Sequence, residues 1–135
     1  MWTKSGDPAC LAPYRWKNRI LLIFAPSAEH SDYAKQVQAL EGEFAGVVER
    51  DLLVAELLED GDCRVGDCCI DPVSRALLRG NFGVEPGDFV VILIGKDGTE
   101  KLWSELPVPA DELFSLIDSM PIRRREMEEG HVAAG

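Results

Sequence analysis

No apolar run in this 135-residue sequence is long enough to cross a bilayer as a helix; the longest, Ile20 to Pro26, falls far short. Basic charge is scarce as well. Lys and Arg number 14 against 24 Asp and Glu, and the net charge of −10 opposes a phosphate backbone or an anionic membrane over most of the surface. The expectation is therefore no nucleic acid and no membrane insertion. The segment Met1 to Pro8 lacks the apolar stretch that follows a basic start in a secretory leader, so a cytoplasmic chain, or one whose leader has been removed, is expected. Cysteine is too sparse for a disulfide scaffold: there are four, with Cys63, Cys68 and Cys69 crowded together and Cys10 apart. No internal repeat is visible, and nothing in the sequence asks for a cofactor.

What is present reads as one globular domain, 46% hydrophobic and 28% charged. Residues 1–16 form an irregular lead-in punctuated by Gly6, Pro8 and Pro13, with Trp16 expected to fold back onto the body. Arg19 to Ala25 is an unbroken apolar run after its first residue, the pattern of a strand covered on both faces. A helix over 31–45 follows, with Tyr33, Val37, Leu40 and Phe44 on one stripe, Ser31 or Asp32 at its cap and Gly46 at its end. Val47 to Ala55 reads as a second strand, completing a βαβ unit. Residues 56–70 form an acidic connection carrying the cysteines. Asp71-Pro72 opens a second helix towards Phe82. Phe89 to Ile94 is a third buried strand, and Asp97-Gly98 turns it back through Thr99 to Trp103. A helix over 110–120 buries Leu113, Leu116, Ile117 and Met120, and Pro121 begins a short extra helix through Arg125. The domain is thus set at 17–125 and a flexible acidic tail at 126–135.

A βαβ unit followed by a helix, a β-hairpin and a helix is the order of a thioredoxin-like α/β fold, in three α/β/α layers. The stretches Tyr14 to Pro26, Glu49 to Leu52, Val91 to Gly98 and Leu113 to Arg124 resemble a bacterial domain family of unknown function with that fold. A related domain ends the vertebrate sushi-repeat extracellular proteins and a matrix-associated tumour-suppressor protein. The resemblance implies a fold and no agreed activity. It extends more distantly to peroxiredoxins, and it does not reach the cysteine segment 61–70.

In an active thioredoxin or peroxiredoxin the reactive cysteine sits where the first strand meets the first helix, whose N-terminus stabilises a thiolate. Here that place reads Pro26-Ser27-Ala28-Glu29-His30. A hydroxyl neither ionises near neutral pH nor forms a disulfide, so Ser27 cannot do redox work. As a nucleophile it would need a base, for which His30 is the candidate; the plainer reading is that Ser27 or Ser31 caps the helix. Thiol chemistry could reside instead on Cys63, Cys68 and Cys69, although Glu59, Asp60, Asp62 and Asp67 raise thiol pKa values and only Arg64 opposes them. The same thiols with Cys10 could ligate a metal, but C-x4-C-C is a poor zinc spacing. Arg50 and Asp51 stand on a strand bound for the interior, where charge needs a partner. Alternation would send them to opposite faces, with Arg19 or Lys17 available to the acid. They are either satisfied ion pairs or part of a polar site near the Pro26 turn. Arg123-Arg124-Arg125 followed by Glu126, Glu128 and Glu129 reads as a solvated helix face, with an anion-docking patch as the alternative.

The leading expectation is a non-catalytic module that binds a protein or peptide through Pro26, Ser27, His30, Arg50 and Asp51. The alternative is a thiol-dependent oxidoreductase or peroxidase using Cys63, Cys68 or Cys69. A metal-binding loop is the third.

Overall fold

The computed structural model of the chain describes residues 14, 16–60, 63–65, 68–69 and 72–134. Cys10 and the rest of the lead-in expected over 1–16, Tyr14 and Trp16 apart, lie outside them.

Strand β1 (Arg19–Ser27) is the central strand, and every residue from Arg19 to Ala25 is buried. Its side chains alternate between two cores. Ile20, Leu22 and Phe24 face one, with Leu57, Val90, Ile92 and Leu78. Leu21, Ile23 and Ala25 face the other, with Val91, Leu93, Tyr33, Leu113 and Ile117. A strand apolar on both faces needs cover on both, and helices supply it.

Helix α1 (Ser31–Leu40) is shorter than the sequence suggests. Gly42, with φ +79°, turns the chain, and a separate helix α2 (Phe44–Glu49) follows. Gly46 therefore lies inside a helix instead of ending one, and Phe44 is exposed instead of continuing the Tyr33 stripe. Strand β2 (Leu52–Asp60) pairs in parallel with β1, Arg19 opposite Leu52 and Ser27 opposite Asp60. It starts five residues later than Val47, because Val47 and Val48 are helical. Strand propensity at two β-branched residues yields here to tertiary packing.

Two short strands, β3 (Cys63–Val65) and β4 (Cys68–Cys69), occupy what reads in sequence as a connection. Helix α3 (Pro72–Phe82) covers the first core through Leu78 and Phe82. Strands β5 (Val90–Ile94) and β6 (Glu100–Ser104) form the expected hairpin, with Gly98 at φ +84°. Helix α4 (Ala110–Asp118) then covers the second core, and α5 (Pro121–Ala134) runs well beyond Arg125. Glu126, expected to start a tail, is a helical residue held by Arg19 and Lys96.

The six-stranded sheet has the order β4-β3-β2-β1-β5-β6, with β5 antiparallel to β1. Strands β2-β1-β5-β6 between α3 on one side and α1 with α4 on the other give the expected three-layer thioredoxin-like architecture. Trp16 departs from expectation. Its side chain is 63% exposed while Tyr14 packs on the first core, and Trp16 joins the body through its backbone N–H to Lys96 C=O, at 2.6 Å.

Candidate functional site

The two groups of residues singled out in the sequence lie at opposite ends of β1. Ser27 is at its carboxyl end, whereas Arg50 and Asp51 immediately precede β2, level with Arg19 at the amino end. Eight residues of strand, about 26 Å, separate the two levels. Arg50 and Asp51 thus do not share a site with the Pro26 turn.

At the carboxyl end, β1 passes through Pro26 and Ser27 into α1. The N-cap of α1 is His30, whose side chain makes no capping bond; Ser31 is already helical and Asp32 lies in the first turn. The His30 ring stacks on Phe89, 6.0 Å between centroids and 4° from parallel, and its Nδ1 is buried with no hydrogen-bond partner among the described residues. Among the described residues no hydrogen bond joins His30 to Ser27 Oγ; the link is His30 N–H to Ser27 C=O, at 3.2 Å. A serine nucleophile with a histidine base is not assembled here. Cys63 pairs with Leu57, which pairs with Phe24, so its backbone is two strands from β1 and three residues short of the Ser27 level. Cys68 and Cys69 are on the edge strand β4. Among the described residues no group of three or more His, Cys, Asp and Glu is placed to hold a metal ion.

At the amino end, four cations and four carboxylates interlock. Arg50, on the C-cap of α2 and not on a strand, presents its Nε and Nη2 to both oxygens of Asp118, at 3.1 and 2.9 Å. The same guanidinium lies 4.2 Å over the Phe114 ring. Arg123 is 4% exposed and so departs from the solvated face expected of the run, which Arg124 and Arg125 keep; it donates to Asp118 at 3.1 Å and Glu49 at 2.6 Å. Asp51 has φ +50° and pairs with Lys96 at 2.9 Å, not with Arg19 or Lys17. Lys96 also reaches Glu126 at 2.5 Å. Arg19, 1% exposed, donates from Nη1 to the Arg50 carbonyl at 2.8 Å and to Glu126 at 3.3 Å.

Burial alone would raise the carboxyl pKa values of Asp118 and Glu126. The two arginines at Asp118, and Lys96 with Arg19 at Glu126, outweigh it and hold both below the ordinary carboxylate range. Burial likewise opposes the charge on Arg123, but Asp118 and Glu49 raise its pKa further.

Arg19 also forms one wall of a cavity of about 280 Å³, closed by Lys96 and Lys101 from the β5–β6 hairpin and by Met120 and Pro121 where α4 meets α5. In the sequence Arg50 and Asp51 stand out by their charge in an apolar context, whereas Lys96, Asp118, Arg123 and Glu126 do not, because locally they resemble turn or surface-helix residues.

The fold and the cysteine-free turn define a domain of thioredoxin-like α/β fold. Reduced 2-Cys peroxiredoxin of Plasmodium vivax superposes with a TM-score of 0.61 at 15% identity, covering 87% of this chain and 84% of that one. Thioredoxin peroxidase I of Plasmodium yoelii gives 0.60 at 16% identity, covering 85% and 79%. At such identities the likeness is one of fold. The family described as a domain of unknown function (DUF4174) matches residues 10–126, and the chain belongs to it. Coiled-coil domain-containing protein 80 of Danio rerio is 29% identical over 87% of this chain and 15% of its own length. Sushi repeat-containing protein SRPX2 of Xenopus laevis is 28% identical over 84% of this chain and 25% of its own length. The chain thus spans a quarter or less of these two relatives.

Proposed function

We propose that this domain is a non-catalytic thioredoxin-like module that binds a protein or peptide partner at the carboxyl end of its parallel strands. The observation that carries the reading is the β1-to-α1 turn. It keeps the strand-to-helix geometry that activates a thiol, yet places Ser27 there and stacks the neighbouring His30 on Phe89. Pro26, Ser27 and His30 are half-buried and Ala28 and Glu29 exposed, so the turn is open to a partner. Its use within longer relatives that carry sushi repeats fits a role in recognition.

The test is peroxide challenge of the reduced protein in the presence of a thiol reductant, with mass mapping of Cys63, Cys68 and Cys69. No turnover, and oxidation no faster than that of a small-molecule thiol, is the expected result. A disulfide that forms and is reduced in each cycle would replace the binding module with an oxidoreductase.

A further inference from the structure

Three buried or nearly buried arginines meet at the amino end of β1, and the occupancy of their guanidinium edges differs. The Nε and Nη2 of a guanidinium project side by side, the edge that grips two oxygens of one carboxylate or phosphate. In Arg50 that edge is filled by Asp118, and in Arg123 by Asp118 and Glu49. In Arg19 both Nε and Nη2 are buried with no hydrogen-bond partner among the described residues. A buried cationic donor left unpaired is costly, and here two stand on one edge.

The cavity that Arg19 lines has the chemistry to complete that edge. Lys96 and Lys101 line it too, Lys101 being about one-third exposed and, among the described residues, paired with Asp97 alone at 3.0 Å. The first turn of the 14-residue α5 opens onto it at Pro121 and Ile122, with no acidic side chain in that turn to answer the helix dipole. Glu126 neutralises Lys96 and the Nη1 side of Arg19 but leaves the Nε/Nη2 edge free.

We propose that this cavity is a binding site for a compact oxyanion, the carboxylate or phosphate group of a small molecule. Arg19 grips it through Nε–H and Nη2–H after a small side-chain shift that opens this buried edge to the cavity, Lys101 swings from Asp97 to cover it, and the start of α5 lies beside it at Ile122. The volume of about 280 Å³ admits such a group with a few attached carbon atoms. The site is independent of the partner-binding turn at the other end of the sheet.

The experiment titrates the full chain with acetate and with inorganic phosphate, against chloride at matched ionic strength, and follows the Arg19 Nε–H and Ile122 amide resonances. Both resonances are expected to move saturably. Acetate alone would make the ligand a carboxylate and phosphate alone a phosphate monoester or free phosphate; either supports the site. Arg19→Lys should weaken binding about tenfold, the loss of a charge-assisted hydrogen bond, and Lys101→Gln by a smaller factor. Should Arg19→Lys fail to fold, the wild-type resonances and Lys101→Gln decide. Movement no greater than in chloride, or affinity unchanged in folded Arg19→Lys or in Lys101→Gln, overturns the proposal.

Discussion

Gln36 is fully buried on α1, where a polar side chain is tolerated only with its hydrogen bonds made. It makes both with one residue. Its Nε2 donates to the Val108 carbonyl at 3.0 Å, and its Oε1 accepts from the Val108 N–H at 2.7 Å. The amide thereby replaces a backbone partner for the segment that leads into α4. Gln36→Met keeps the length and volume of the side chain but strands both Val108 groups, which should cost about 2–4 kcal/mol. Urea denaturation measures it as a lower midpoint with an unchanged slope. Gln36→Ala adds a cavity and should cost more. A midpoint within error of wild type for Gln36→Met would mean that solvent reaches Val108 and that the pairing contributes nothing.

Helix α2 shows how one element depends on a close approach. A Cβ at Gly46 would lie 2.6 Å from the Phe114 ring and 3.2 Å from Arg50 Nη1. That ring packs on the second core and is held under the Arg50 guanidinium, so it has little room to retreat. Helix propensity favours Gly46→Ala by about 1 kcal/mol, and overpacking opposes it by about 1–3. The expected net effect is a loss of about 1 kcal/mol, together with a weaker Arg50–Asp118 pair. Gly80, inside α3, has nothing within 4 Å of the same position, and Gly80→Ala should instead stabilise by about 0.5–1 kcal/mol. Thermal melts of the two variants should move in opposite directions. Elements differ in the same way in how far they can be read from sequence. Strands β1 and β5 and helix α4 are legible because burial on both faces, or on one helical stripe, writes itself into local hydrophobicity. The α1–α2 break and the start of β2 are not, since Val47-Val48 would suit a strand and only the pairing of Arg19 with Leu52 fixes the register. The charged end is least legible of all. Arg19 meets Glu126, and Arg50 meets Asp118, across separations of 107 and 68 residues, and no local pattern carries a contact of that range.

For the whole molecule the interlocked charges make stability depend on acid in a defined direction. The chain carries a net charge of −10, yet the eight groups at the amino end balance one another. Burial works against ionised Asp118 and Glu126, but their cationic partners prevail and their folded pKa values lie below the ordinary ones. Asp97 behaves alike: burial is outweighed by hydrogen bonds from Thr99 and by Lys101. Such groups bind protons more readily in the unfolded chain. Their contribution is therefore complete above the ordinary carboxylate range, near pH 4, and is lost as pH falls through the folded values. Urea midpoints should be level from pH 8 to 6 as far as these groups are concerned, and fall steeply below about pH 4.5. Asp118→Asn separates this cause from general acid unfolding. It removes a carboxylate shared by Arg50 and Arg123, so it should be clearly less stable than wild type at pH 7. The gap should then narrow as pH falls below the ordinary carboxylate range and close once it passes below the depressed folded value of Asp118, where the wild-type carboxyl is protonated as well. A gap that stays constant from pH 7 to 3 would show that Asp118 acts by shape and hydrogen bonding alone, and that its charge adds nothing to the fold.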